Sequence, residues 1–274
     1  MRGMTPRARV AVAAAAAAGA TAVRVGCAGW SLSRAVLSHF PAEGTHLQRY
    51  AARLSCTEIN SSFYRPHRSG TYARWAAGVP QDFRFAVKLP RTITHEARLR
   101  GVGGELDRFL GQVRGLGDKL GCLLIQLPPS LAFERAPVKR FLGALHRRHA
   151  GAAVVEPRHA TWFADAADTL LADHGIGRAA ADPALVAAAS VPGGDRRLSY
   201  FRLHGSPRMY FSIYTDHFLR ALARQLRSEQ AAGAACWCIF DNTAHGGAVP
   251  NALRTEHLLH DVRFDDVARA LNSS

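Results

Sequence analysis

A chain of 274 residues with 48% hydrophobic content can bury a large core in one domain, while no apolar run approaches the roughly 20 residues needed to cross a bilayer. Basic residues outnumber acidic ones 35 to 21, a formal charge of +14, which draws phosphate, nucleic acid or other anions toward the surface without identifying one. All but three of the 35 are arginine, which together with the Ala-rich tracts fits a compositional bias as well as a binding surface. Cys27, Cys56, Cys122, Cys236 and Cys238 are odd in number and lie within apolar, strand-like runs, so a disulfide framework is excluded and a reduced, cytoplasmic protein is expected.

In chain order, residues 1–9 hold three arginines and 10–20 form an alanine-rich apolar run, a loose imitation of a secretory signal. Alanine drives insertion weakly and no disulfide pattern follows, so 1–22 is expected to be a disordered or helical extension, with export the alternative. The folded domain is expected over 23–274. Apolar runs at 23–28, 56–59, 83–88, 122–127, 152–156, 177–181, 199–203 and 235–240 read as strands. Between them, amphipathic stretches at 47–54, 105–116, 137–149, 163–174 and 216–231 read as helices, often ended by Gly or Pro.

Strand and helix alternate with a repeat of about 30 residues, the length of a βαβ step. The expected class is α/β, a single (β/α)8 TIM-type barrel with a parallel eight-stranded core. The sixth unit is short: 182–197 leaves room for a small helix and a Gly193-Gly194 turn. A doubly wound open sheet is the alternative, weakened by the lack of a GxGxxG or P-loop fingerprint.

Alternate strand residues face opposite sides of a sheet. On that parity Glu58 goes with Asn60, Lys88 with Ala86, Gln126 with Leu124, Glu156 and Arg158 with Val154, Arg202 and His204 with Tyr200, and Asn242 with Phe240 and Cys238. Strand after strand turns polar as it ends, at Trp30, Glu58, Asn60, Lys88, Gln126, Glu156, Asp182, Arg202, His204, Asp241 and Asn242. Buried ionisable groups are costly unless paired, so this ring implies a polar pocket with a carboxylate facing Lys88 or an arginine. A plug of ion pairs closing the barrel mouth is the simpler alternative.

Several of these segments resemble the YecE-like family, domain of unknown function 72. They are VGCAGWS at 25–31, EINSSFY at 58–64, FRFAVKLPRTITH at 83–95, LGCLLIQLPPS at 120–130, VEPRHATWF at 155–163, YFRLHGSPRMY at 200–210 and IFDNTAHGGAVPNAL at 239–253. The resemblance implies a TIM-type barrel and a reaction that is not established. Cys27 and Ala28 stand where the family usually has a Thr-Ser pair, and Pro157 where it usually has an aromatic residue. Residues 32–36 also lack its aromatics.

The residues support several chemistries. Glu58, Lys88, Glu156 and His204 are the candidate catalytic groups, carboxylates with a complementary acid or base. Trp30, Asn60, Tyr64, Gln126, Arg158, Asp182, Arg202, Asp241, Asn242 and Asn251 are the candidate substrate contacts. Two carboxylates on opposed strands would also suit glycoside hydrolysis. A desolvated Lys88 would suit a Schiff base, whereas pairing with glutamate would keep it protonated and inert. No metal or cofactor is assigned; Glu58, Glu156, Asp182, His204 and Asp241 would suit a divalent ion, but Lys88, Arg158 and Arg202 compete for that space. His95, His159 and His245 are weaker candidates.

Barrels often seat phosphate between the loops after strands seven and eight, against a helix start. Residues 204–206 and 242–247, before a helix containing Asn251 and with Arg202 and Arg208 nearby, supply suitable parts. The expected function is therefore an enzyme acting on a small anionic substrate, such as a phosphorylated sugar or nucleotide. The alternative is nucleic-acid binding or processing, with the +14 charge and the loop aromatics Trp30, Phe63, Tyr64, Trp162, Tyr210 and Tyr214 as stacking surfaces. A third reading is an interaction platform with a vestigial pocket. No protein partner is inferable and no membrane role is expected.

Overall fold

The structure, a computed structural model, describes residues 23–261. The extension expected over 1–22 and the last residues of the expected domain, 262–274, lie outside them. The strands are β1 Val23–Ala28, β2 Cys56–Ile59, β3 Arg84–Lys88, β4 Leu120–Gln126, β5 Ala153–Glu156, β6 Gly177–Arg178, β7 Ala180–Asp182, β8 Gly193–Gly194, β9 Leu198–Leu203 and β10 Ala235–Phe240. The helices are α1 His46–Ala51, α2 Ser61–Tyr64, α3 Ser69–Ala77, α4 Gly103–Val113, α5 Arg135–His146, α6 Asp165–Asp173, α7 Asp216–Ala231 and α8 Ala248–His260. None of the helices among the described residues is long and apolar enough to cross a membrane.

The α/β class agrees with the sequence pattern, but the sheet has ten strands rather than eight, in the order β7-β9-β10-β1-β2-β3-β4-β5-β6-β8. Every neighbouring pair is parallel except β6 with β8. The difference arises in the short sixth unit. Its strand is cut at Ala179, so β6 pairs with β5 while β7 pairs with β9. The chain itself joins the two ends of a nearly closed, barrel-like sheet. The Gly193-Gly194 pair, expected as a turn, forms a two-residue antiparallel strand against β6.

Two apolar layers hold this sheet. Outside it, the longer helices bury one stripe: α7 buries Leu219, Leu222, Ala223 and Leu226, the i, i+3, i+4, i+7 spacing of one helical face. The Thr215 hydroxyl caps its start by accepting from the Phe218 amide. Inside the sheet, Cys56, Ala86, Cys122, Leu124, Val154, Ala179, Leu198, Tyr200, Trp237 and Ile239 form a second, smaller core, with Tyr200 stacked on Trp237 at 5.9 Å. The next inward pleat carries Glu58, Lys88, Glu156, Arg202 and Asp241, so the interior is apolar below and charged at the carboxyl ends of the strands.

The parity grouping holds for every strand tested, and β10 shows which side of it faces in. Cys238 and Phe240 lie in the outer layer, so the residue of their parity, Asn242, faces away from the interior and Asp241 faces in. All five cysteines are free and buried.

One close approach fixes the β1–β2 seam. Gly26 sits opposite Cys56, and a Cβ on it would fall 2.0 Å from the Cys56 carbonyl oxygen. Backbone cannot yield as a side chain does. Gly26→Ala is therefore expected to lose at least about 2 kcal/mol in urea unfolding, near the upper range for overpacked cores; an unchanged midpoint would refute this packing.

Candidate active site

The charged pleat is organised by one guanidinium. Arg202, on β9 and 1% exposed, meets three carboxylates. Its Nε and Nη2 donate to the two oxygens of Glu58 at 3.0 and 2.5 Å. Nη1 donates to Glu156 Oε2 at 2.6 Å, and Nη2 also reaches Asp241 Oδ2 at 3.0 Å. The Tyr200 hydroxyl donates to Glu58 Oε2 at 2.8 Å. Sheet ladders set the frame: the amides of Gly29, Leu127 and Asp241 donate to the carbonyls of Glu58, Glu156 and Leu203, so several site residues are fixed by backbone bonds of the barrel itself.

His204 follows β9 and lies between two carboxylates. Its Nδ1 faces Asp241 Oδ2 at 3.0 Å and its Nε2 faces Glu156 Oε1 at 2.8 Å. Arg158 Nη2 lies 2.6 Å from that Glu156 oxygen and 2.6 Å from His204 Nε2. The two contacts at Nε2 ask for opposite roles, since Glu156 only accepts and Arg158 only donates. A proton on Nε2 satisfies the first and a lone pair the second, so the group has two hydrogen-bond arrangements that differ by one proton.

Charges shift accordingly. Burial alone would raise the Glu156 carboxyl, but Arg202, Arg158 and His204 more than reverse this and hold it well below the ordinary range. Asp241 is lowered in the same way, by Arg202 and His204 against burial. Burial and the neighbouring Glu58 charge push the Tyr200 hydroxyl far up, keeping it a donor.

Lys88, the last residue of β3, differs from the rest. It is 9% exposed and makes neither an ion pair nor a hydrogen bond through its ammonium with the described residues; Nζ lies over the Phe63 ring, 4.2 Å from its centre. Ser62 positions that ring, its hydroxyl donating to the Lys88 carbonyl at 2.7 Å and to the Ile59 carbonyl at 3.0 Å. Burial lowers the ammonium pKa and Arg202 adds to it, while Glu58, Glu156 and Asp241 oppose more weakly. His95, on a π-helical turn at Thr92–Glu96, packs edge-on against Phe63 at 4.9 Å.

The structure thus brings Glu58, Glu156, Arg158, Arg202, His204 and Asp241 into one network, with Lys88 beside it. The other sequence candidates make different contacts. Trp30 packs against Trp75 and Phe85 at 5.1 and 6.4 Å, as part of the outer layer. Asp182 accepts from the Tyr214 hydroxyl at 2.8 Å. Asn242 and Asn251 bond each other and brace the 205–215 loop through Ser212 and Tyr214, while Thr243, Ala244 and His245 of the expected phosphate cradle are exposed. Gln126 donates to the Leu127 carbonyl, Tyr64 is 75% exposed, and Asn60 Oδ1 is buried without a hydrogen-bond partner. His159 bonds Thr161 and His245 packs on Phe211.

Tyr200 was not singled out from sequence, although its parity with Arg202 marks it as inward. Phe63 as the surface under Lys88 had no sequence signal beyond being a loop aromatic. Among the described residues, no group of three or more His, Cys, Asp or Glu is placed to hold a metal ion; the guanidinium of Arg202 stands among the carboxylates that a metal would need. A cavity of about 240 Å³ lies at the opposite end of the strands, lined in part by Ser55, Asp82 and Glu256, away from this chemistry.

Removing one member of a buried ion-pair network costs far more than the pairing contributes, because the others stay buried and uncompensated. Arg202→Met is therefore expected to destabilise the fold by about 3–5 kcal/mol in urea unfolding. Lys88→Met removes a buried cation that has no carboxylate partner, so its unfolding midpoint should stay level or rise. A Lys88→Met loss as large as that of Arg202→Met would show that Lys88 belongs to the structural network.

Residues 24–270 match the family described as "Protein of unknown function DUF72". The UPF0759 protein YecE of Escherichia coli K12 is 32% identical over 133 residues, 48% of this chain; the chain spans 48% of that relative's length. The UPF0759 protein YunF of Bacillus subtilis is 21% identical over 280 residues, covering 90% of this chain and 97% of the relative. Two solved DUF72 family structures share the fold. That from Thermotoga maritima has a TM-score of 0.73 at 23% identity, covering 87% of this chain and 99% of the other; that from Enterococcus faecalis has a TM-score of 0.71 at 20% identity, covering 87% and 95%. With a family match running through every strand and helix described above, this chain belongs to the DUF72 family.

Proposed function

We propose that this chain is a cytoplasmic enzyme acting on a small anionic substrate, such as a phosphorylated sugar or nucleotide. Its site is the carboxyl-terminal mouth of a (β/α)8-type barrel in which β6 and β7 are one interrupted strand. The observation that carries this reading is Lys88. Glu58, Glu156 and Asp241 are all taken by Arg202, Arg158 and His204, whereas the buried Lys88 ammonium forms no ion pair or hydrogen bond with the described residues. A buried ammonium whose protons find no acceptor is costly, and an anionic or electron-rich group of a ligand would relieve that cost.

In this reading Lys88 and Arg158 meet the substrate, and the Asp241–His204–Glu156 chain moves the proton, with the two arrangements at His204 Nε2 as its two states. Glu58 and Tyr200 act through Arg202 and are positioning residues. The exposure of Tyr64 and Tyr210, 75% and 44%, supports a second reading in which these rings stack on bases of a nucleic acid.

Thermal unfolding with glucose 6-phosphate, AMP, inorganic phosphate or an oligothymidylate separates the two. A ligand that binds the folded state at 100 times its Kd adds about 2.7 kcal/mol, so a clear rise in Tm is expected from a small phosphorylated compound and none in Lys88→Met. A rise from the oligonucleotide alone, lost with salt, would replace this reading with the second.

The network also sets an acid limit. A carboxyl held low in the folded state contributes stability above its unfolded value, near 4.5 for Glu156, and loses it as pH falls through the folded value. The stability gap between the native chain and Glu156→Gln is therefore expected to be constant above about pH 5.5 and to shrink below about 4.5. A gap that widens in acid would contradict the assigned charges.

A further inference from the structure

Lysine is rare in this chain. Of 35 basic residues only Lys88, Lys119 and Lys139 are lysines. Lys119 donates to the Pro80 carbonyl, and Lys139 lies exposed on α5. Arginine fills nearly every other cationic role, including the hub and the rim of the site. Holding an anion is a task arginine does at least as well as lysine, through its planar fork of donors. Losing a proton and forming a carbon–nitrogen double bond is a task only lysine performs.

Position and surroundings at Lys88 fit that task. Its Nζ stands at the carboxyl end of β3 in the mouth of the barrel, over the face of the Phe63 ring and without a direct ion pair or hydrogen bond to hold its proton. This is the condition that pairing with glutamate would have removed. Burial and the adjacent Arg202 charge both act to favour the neutral amine. Groups that carry protons, His204 with Glu156 and Asp241, are gathered at the same end of the barrel.

We propose that Lys88 is the nucleophile of this site and forms a Schiff base with a small substrate bearing both a carbonyl and an anionic group. The step balances without any other reactant. The neutral amine attacks the carbonyl carbon, the carbonyl π pair moves to oxygen, and the resulting carbinolamine takes up protons and expels water. Counted from the ammonium, R2C=O and Lys88-NH3+ give R2C=NH+-Lys88 and H2O. The iminium then withdraws electrons from the adjacent carbon, the basis of carbon–carbon cleavage, dehydration or proton exchange there. This inference rests on the small-anion reading above.

The test uses the full chain with pyruvate or glyceraldehyde 3-phosphate and sodium cyanoborohydride, which reduces an imine to a stable amine. Peptide mass mapping then reads adducts at the three lysines, with Lys139 as the exposed reference. At pH 7 the adduct at Lys88 should form faster than at Lys139, since burial and the Arg202 charge favour the free amine at Lys88. Lys88→Arg should abolish the adduct while keeping the rise in Tm given by a phosphorylated ligand. If Lys88 is labelled no faster than Lys139 while that rise is intact in the native chain, the Schiff base is refuted and the small-anion reading stands. Absence of both the adduct and the rise overturns the two together.

Discussion

The site depends on the cost of burying charge. Arg202 is a fixed cation, 1% exposed, inside a sheet whose lower interior is apolar, and it persists there because Glu58, Glu156 and Asp241 converge on its donors. Its charge is locked in place: burial acts to weaken its proton, and the three carboxylates more than reverse that. The same geometry explains why Glu156 and Asp241 stay ionised in a place that would otherwise neutralise them. Once Arg202 is set, the roles of the surrounding groups follow from what remains of their hydrogen-bonding capacity.

Glu58 has little left. Both oxygens face Arg202 and one also accepts from Tyr200, so its task is to hold the guanidinium in orientation. Glu156 and Asp241 each spend one contact on Arg202 and another on the His204 ring, which makes the imidazole the one member with two proton arrangements. Lys88 lies outside this closed set of contacts. A network of satisfied ion pairs rigidifies a site, and Lys88 stands beside it over the Phe63 ring without an ion pair.

Much of this was legible in the sequence. Seven of the expected strands lie within two residues of those observed, because apolar runs bounded by turn residues leave few alternatives, and α7 matches the expected 216–231. Parity correctly grouped Glu58, Lys88, Glu156 and Arg202 as inward residues at the strand ends. The end of β10 offers two adjacent polar residues, Asp241 and Asn242, and parity alone does not say which of them continues the inner row. Trp30 packs on Trp75 and Phe85 and Asn251 bonds Tyr214, contacts that strand periodicity does not reveal. The break at Ala179, which raises the strand count to ten, leaves no trace in a run of small apolar residues.

The sequence by itself determined the α/β pattern and the ring of polar residues at the strand ends, since both follow from side-chain periodicity and the short range of turn chemistry. Only the tertiary structure decided which charges cancel. Glu58 and Arg202 are 144 positions apart and Glu156 and Arg202 are 46 apart, and no local pattern encodes a contact across the interior of a sheet. That long-range pairing leaves Lys88 outside the ion pairs of the barrel mouth, over the Phe63 ring, because ion-pair partners are fixed by how the strands close around one another.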